Sequence, residues 1–317
     1  MRKAIVLFSG GLDSIIACKL LQKNGWEVVA LFIDTGFIGR EIDGKVERKI
    51  GNIADEEDIR LIVVDAKNCY FQKVLLHPRF GYGKGANPCI DCRIFMMNRA
   101  RELKEEIGSD VIATGEVLGQ RPMTQNKNTF RLVEKKTGIR ILRPLSEKLL
   151  NKDSENWCLN IQGRGMKRQI ELKEELNIAS YLPHAGGCIL TEEVFSHRFK
   201  ELLKNEETIE LSDTILLEVG KHFRLPSGTK VVLARDEKEC KYLQGFCKRY
   251  VCFFPVERPG AIAVAKKIEI GDEKIIVSLI AYYSKKRRIK VNYCLEGKEY
   301  TKEGEPFSRY SASLLMI

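Results

Sequence analysis

Apolar residues in the first third of the chain fall in short, nearly continuous runs, separated by stretches with helical spacing. Residues 3–8 and 27–34 are such runs, and 59–65 and 110–114 repeat the pattern, which predicts strands buried on both faces. Between them, 13–24, 46–57 and 89–107 place apolar positions on one helical face, and Gly25 ends the first of these helices. Strand and helix in alternation predict an α/β fold built on a doubly wound parallel sheet. A loop rich in Gly and Pro spans 77–88. From 140 to 191 the pattern breaks into loops and short helices, of which 165–175 is the clearest. Past about residue 208 come β-branched runs at 214–219, 229–234, 261–265, 274–281 and 289–293, with one helix near 237–250. The expected organisation is a sheet domain over 1–145, an extension over 146–205 and a smaller α+β domain over 206–317.

Charge sharpens this division. The net charge is +10, and from Leu216 onward 20 lysines and arginines stand against 12 acidic residues, so most of the excess lies in the last domain. An RNA-binding surface is the functional reading, and a basic solvated surface the plain one. No run approaches a membrane span. The opening residues Met1–Phe8 are too short for a signal peptide and lead into a glycine loop, so a cytoplasmic protein is expected. Ten cysteines then argue against a disulfide framework. Cys18, on an apolar helix face, and Cys240, Cys247 and Cys252, without ligand spacing, are expected to be packing residues.

The string Phe8-Ser9-Gly10-Gly11-Leu12-Asp13-Ser14 joins the first strand to the first helix. Gly10 and Gly11 permit a tight turn with backbone N–H groups facing an anion, Ser9 and Ser14 add hydroxyl donors, and the helix start adds partial positive charge. Asp13 beside a phosphate makes sense if Mg2+ lies between them. The lysine of an ordinary P-loop is missing, which disfavours simple γ-phosphate hydrolysis.

A second string, Asn87-Pro88-Cys89-Ile90-Asp91-Cys92, puts two cysteines in the first turn of a helix, on one face. Cys188 follows Gly186-Gly187 on accessible backbone. With no second Cys-x-x-Cys pair for zinc, three thiolates fit a [4Fe–4S] cluster with one open iron; a persulfide relay between Cys92 and Cys188 is the alternative. Arg143 follows the last sheet strand, where open α/β sheets bind ligands. Arg164, Lys167 and Arg168 open a helix, and Lys285, Lys286, Arg287 and Arg288 follow Tyr282-Tyr283, so both clusters are candidate RNA contacts. His184 is a weak acid–base candidate.

The first string resembles the signature of the PP-loop ATP pyrophosphatases. That likeness implies an adenine-nucleotide α-hydrolase fold, cleavage of ATP between the α and β phosphates, and pyrophosphate binding by Ser9, Gly10, Gly11, Asp13 and Ser14. Asp34 matches the nucleotide-side position. Asn-Pro-Cys-x-x-Cys with a later Gly-Cys is similar to the tRNA thiouridine synthases. Thr114–Gln120, with Gln125 and Leu142–Leu145, resembles the 4-thiouridine synthases in particular, placing Gly115 and Gln120 at the nucleotide. The likeness covers roughly residues 1–195. It implies ATP, Mg2+, tRNA and a sulfur donor (sulfide or a persulfide carrier), and adenylation of a uridine carbonyl oxygen before sulfur replaces it. Those synthases carry RNA-binding domains ahead of the loop, whereas the basic domain here lies behind it. Lys221–Arg224 and 258–260 resemble a domain at the end of ribosome quality-control factors. An acceptor that is a small molecule, and a non-catalytic RNA-binding protein, are the rival readings.

Overall fold

The computed structural model describes residues 1–38, 46–182, 187–257 and 260–317. The chain divides into two compact units, Met1–Glu193 and Val194–Ile317. Residues 146–193 thus cluster with the first unit, and the segment expected as an extension is shared between the two.

In the first unit the order is β1 (Lys3–Leu7), α1 (Leu12–Lys23), β2 (Glu27–Asp34), α2 (Val46–Glu56), β3 (Arg60–Asp65), α3 (Lys67–Tyr70) and a π-helical turn (Phe71–Leu75), then α4 (Cys89–Ile107), β4 (Val111–Thr114), α5 (Lys127–Thr137), β5 (Ile141–Leu142), α6 (Glu147–Leu150), α7 (Lys167–Glu175) and a 3-10 turn (Ile189–Thr191). The five strands pair in the order β3-β2-β1-β4-β5, each parallel to its neighbours. Alternation within β1 explains why the strand is apolar throughout. Ala4 and Val6 join the core under α1 and α2, with Ile15, Ile16 and Ile50, whereas Ile5 and Leu7 join the opposite core, with Met97, Ala100 and Val133. Each such buried Ile or Leu contributes about 1.5–3 kcal/mol. The order reverses direction at β1 and β4, so the crevice beyond their carboxyl ends is the natural ligand site.

The second unit contains α8 (Glu193–Asn205, its first residue in the first unit), α9 (Leu211–Leu216), β6 (Lys221–Arg224), β7 (Lys230–Leu233), α10 (Glu237–Gln244), β8 (Val251–Pro255), β9 (Ala263–Ala265), α11 (Asp272–Tyr283), β10 (Ile289–Leu295), β11 (Lys298–Gly304) and α12 (Arg309–Leu314). Its sheet runs β11-β10-β8-β9-β7-β6 with antiparallel neighbours, so the α+β expectation holds. Two segments read as strands are helical. Residues 214–219 enter α9, which Glu210 and Asp213 start with a reciprocal capping box, and 274–281 lie inside α11. The Ile275-Ile276-Val277 run reflects burial of α11 against the sheet rather than strand geometry. Cys247 and Cys252, expected to be separate packing residues, form a disulfide. Among the described residues no helix is long and apolar enough to cross a membrane.

Candidate active site

The glycine loop forms as expected. Gly10 adopts φ +72°, a conformation that favours glycine, and its carbonyl accepts the N–H of Leu182 at 2.7 Å. The Ser14 hydroxyl donates to the Gly11 carbonyl at 2.7 Å and lies 3.5 Å from the Ser9 hydroxyl. No side chain caps the start of α1, where Gly11 is the cap residue. Within the loop the Ser9 N–H donates to the Ser14 hydroxyl and the Gly11 N–H to the Ser9 hydroxyl, each at 3.4 Å. Asp13 accepts a 2.9 Å hydrogen bond at Oδ2 from the Gln120 amide, which brings together two residues 107 apart in sequence.

Gly115 explains how close the two strand ends come. A Cβ there would meet the Asp13 carbonyl carbon and oxygen at 2.4 Å and the Ser14 nitrogen at 2.6 Å, so no side chain fits. The next residue, Glu116, is 4% exposed and lies between two arginines. Its Oε1 is 3.1 Å from Arg93 Nε, and its Oε2 is 3.2 Å from Arg143 Nε and 3.1 Å from the Thr114 hydroxyl.

Arg143 was expected at the nucleotide, and it does not line the cavity that holds the glycine loop. Its guanidinium is buried, pairs with Glu116 and with Glu134 at 2.6 Å, donates to the Ile141 carbonyl and stacks over Phe130. Burying that charge is tolerable only because these partners surround it, so it supports the site from behind. Asp34 does not line that cavity either. Its Oδ2 binds Lys67 at 2.6 Å and its Oδ1 accepts the Gly36 N–H at 2.7 Å. Burial opposes its ionisation, but the hydrogen bonds with Glu47, Lys67 and Gly36 outweigh it and hold the carboxyl below the usual range.

One cavity of about 280 Å³ joins the loop residues Ser9, Gly11, Asp13 and Ser14 to Gly115, Glu116, Gln120 and all three cysteines. Pro88 precedes α4 as its cap residue, and the first turn of that helix delivers Cys89, Cys92 and Arg93 to the cavity. Asp91 fixes the turn by accepting the Phe80 N–H at 2.9 Å, and Asn87 donates to the Cys89 sulfur at 2.8 Å. Cys188 is followed directly by two backbone ties: Ile189 donates to the Phe37 carbonyl and Leu190 accepts from Ala86, each at 2.9 Å. Burial pushes the Cys92 thiol up to about 11, against the lowering effects of the Tyr70 hydroxyl and Arg93. It pushes Cys188 up to about 12. Tyr70 is raised well above its usual value by burial and then by the facing thiols Cys92 and Cys188, so the three side chains share one enclosed space.

Tyr70, Arg93 and Glu116 were not singled out from sequence. Glu116 carried a signal, an acid inside the string 114–120 beside a glycine; Tyr70 carried none, since only the π-helical turn after it aims that ring, against Phe37 and Phe95. His184 and Gly186 lie outside the described residues.

The basic candidates are not in the cavity. Arg164 and Lys167 are exposed, while Arg168 is engaged along its own helix with Glu171 at 3.0 Å and Glu175 at 2.6 Å. In the second unit, Lys285 and Arg287 are exposed in the turn after α11, and Arg288 pairs with Glu303 and Glu305. Tyr282 and Tyr283 pack partly against the core, so they offer less open ring face than expected.

A family model described as Thiamine biosynthesis protein (ThiI) matches residues 1–159, half of the chain. The chain belongs to the ThiI family. Its ThiI segment contains the glycine loop, the five-stranded parallel sheet, and Cys89, Cys92 and Arg93 on α4. A model described as NFACT protein RNA binding domain matches residues 220–309. Among relatives, a probable tRNA sulfurtransferase of Thermococcus kodakarensis is 29% identical over 143 residues, which are 45% of this ThiI-family chain and 36% of that protein. The tRNA-specific 2-thiouridylase MnmA of Ruthia magnifica is 28% identical over 78% of this chain and 68% of its own. The chain thus spans about a third of the first relative's length. A solved 4-thiouridine synthetase–RNA complex with bound ATP shares 22% identity, with TM-score 0.44, over 68% of this chain and 52% of that one.

Proposed function

We propose that this chain is an ATP-dependent tRNA sulfurtransferase, acting in the cytoplasm, that converts a uridine carbonyl to a thiocarbonyl. The observation that carries this reading is the shared cavity: a pyrophosphate-type loop and three cysteines open into one space. A loop alone fits many ATP-consuming reactions, and cysteines alone fit many redox proteins. Their convergence fits chemistry in which a phosphoryl-activated oxygen is replaced by sulfur.

The uridine carbonyl oxygen bonds to the α-phosphorus while the bond to the β-phosphate oxygen breaks, and pyrophosphate leaves with the electron pair as the ring N3 proton is lost. Hydrosulfide then bonds to the activated carbon, the C–O bond breaks, AMP leaves with the pair, and the sulfur proton ends on N3. Ser9, Gly10, Gly11 and Ser14 would hold the pyrophosphate, and Asp13, oriented by Gln120, would hold the Mg2+ that accompanies it. The target base must leave its stack to enter so small a cavity.

The cysteines suit an iron–sulfur centre. They are three soft donors in one enclosed space, and burial keeps Cys92 and Cys188 neutral unless a metal charge compensates them. Among the described residues no three His, Cys, Asp or Glu side chains close around a single ion, and a cubane, which spreads its ligands over separate irons, does not require that. Bound by Cys89, Cys92 and Cys188, a [4Fe–4S] centre would supply an open iron to carry sulfide. The persulfide route would instead leave Cys92 and Cys188 as a disulfide and need an external thiol to reduce it.

RNA binding falls to the second unit, whose basic turn at Lys285–Arg287 and match to an RNA-binding domain support it. The test combines purified protein, ATP, Mg2+, sulfide and transcribed tRNA, with mass spectrometry of the nucleosides. Thiouridine, AMP and pyrophosphate are expected. ADP and phosphate as products would overturn the assignment, and thiolation of a small acceptor with no RNA binding would move the substrate. Binding to tRNA should weaken steeply with salt as counterions are released.

A further inference from the structure

Two arginines line the cavity, Arg93 and Arg121, and they are held differently. Arg121 is exposed. Arg93 follows Cys92 directly on α4, lines the cavity, and forms an ion pair from its Nε to Glu116 Oε1, 3.1 Å away. Glu116 is itself immobilised by Arg143 and Thr114 and follows Gly115, whose Cα lies against the backbone of Asp13 and Ser14. A short, rigid line therefore runs from the phosphate loop through Gly115 and Glu116 to Arg93 and the sulfur-bearing turn of α4.

That line crosses the place where one group of the reaction must sit. If the loop holds the β and γ phosphates and the cysteines deliver sulfur, the α-phosphate lies between them, because it is bonded first to the β-phosphate and then to the uridine oxygen that sulfur displaces. It is the phosphorus attacked in the first step, and in the second it gains a full negative charge as it leaves as the AMP dianion. A cation fixed before the reaction begins stabilises such developing charge more than one that must be ordered during it.

We propose that Arg93 is the catalytic cation that grips the nucleotide α-phosphate from ATP through to departing AMP, and that Glu116 positions it for that contact. Arg143 acts one step further back, neutralising Glu116 so that Arg93 stays oriented without losing its charge to a single carboxylate. The proposal rests on the adenylating reading above.

Titration calorimetry with the full chain and Mg2+, comparing AMP with inorganic pyrophosphate, tests it. Arg93→Ala should weaken AMP binding at least about tenfold while leaving pyrophosphate within about threefold, since a charge-assisted pair is lost only at the α position. Arg93→Lys should recover part of the loss, keeping charge without the fork. Glu116→Gln should also weaken AMP selectively with Arg93 still present, and it carries the test if Arg93→Ala does not fold. Unchanged AMP affinity in Arg93→Ala, or equal loss of AMP and pyrophosphate, would overturn the assignment. A selective AMP loss in a protein that never thiolates RNA would leave Arg93 in place and remove the tRNA reading. Normal thiolation with unchanged AMP affinity in Arg93→Ala would do the reverse.

Discussion

Gly115 presses against the backbone of Asp13 so closely that a methyl group would sit 2.4 Å from the Asp13 carbonyl. The contact locks the end of β4 to the start of α1, so the phosphate loop and the turn bearing Glu116 behave as one piece. Gly115→Ala should therefore displace the loop itself. The expected outcome is a folded protein destabilised by about 1–3 kcal/mol, the usual cost of overpacking, with ATP binding lost. Denaturant unfolding and nucleotide titration measure the two effects; retained ATP affinity would show that the loop tolerates the shift.

Asp13 and Gln120 should separate by role. Asp13→Ala is expected to abolish AMP and pyrophosphate formation while leaving the fold intact. Gln120→Ala removes only the 2.9 Å bond that orients the carboxylate, so the turnover rate should fall by about ten- to a hundredfold. Steady-state kinetics at varied Mg2+ should show a raised Mg2+ requirement for the Gln120 variant. Equal, complete loss in both variants would place Gln120 on the substrate instead.

The cysteines give a colour test. Anaerobically purified protein should be brown with about four irons per chain, and Ala at Cys89, Cys92 or Cys188 should bleach it and stop thiolation. Cys18→Ala, on the buried face of α1, should do neither. Activity in iron-free protein, with Cys89→Ala tolerated and a Cys92–Cys188 disulfide trapped during turnover, would establish the persulfide route.

Acid should weaken the second unit through His222. Its ring is fully buried on β6 with Nε2 2.9 Å from the Val219 carbonyl; burial, then Arg198 and Lys230, hold its pKa well below 6.5. The unfolded chain then binds a proton that the folded chain refuses. Stability is full above the unfolded value, about 6.5, and is lost as pH falls toward the folded one, by up to about 1.4 kcal/mol per pH unit. Urea unfolding between pH 7 and 5 should show this slope, and His222→Gln should flatten it. An unchanged slope would assign the acid sensitivity elsewhere.

The first unit was legible in the sequence because β1, β2 and β4 are buried on both faces and its loops carry glycines at forced positions; β3, also read as a buried strand, lies at the sheet edge and is partly exposed. β2 and α4 begin and end where the apolar pattern places them. The second unit was less legible. In α11 the stabilising face is so broad that β-branched residues signal burial, not period, and the acidic start at Asp272 and Glu273 was the better cue. β11 shows no apolar alternation because most of its residues are exposed; the Glu296-Gly297 turn, both residues with positive φ, was its signal. At the site, loop and cysteine positions follow from local strings. The tertiary partners do not: nothing in the local sequence at Arg143 says that Glu116 and Glu134 will engage it.

The pairing of β1 with β4 joins Leu7 to Thr114, a separation of the same 107 residues that divide Asp13 from Gln120. Contacts so distant along the chain close large loops and tend to form late in folding. A partly folded chain can have a formed first strand and helix and still lack the partner that orients Asp13. Nucleotide competence thus needs a long-range seam as well as the first local structure, and a nucleotide bound across that seam would act as its clasp.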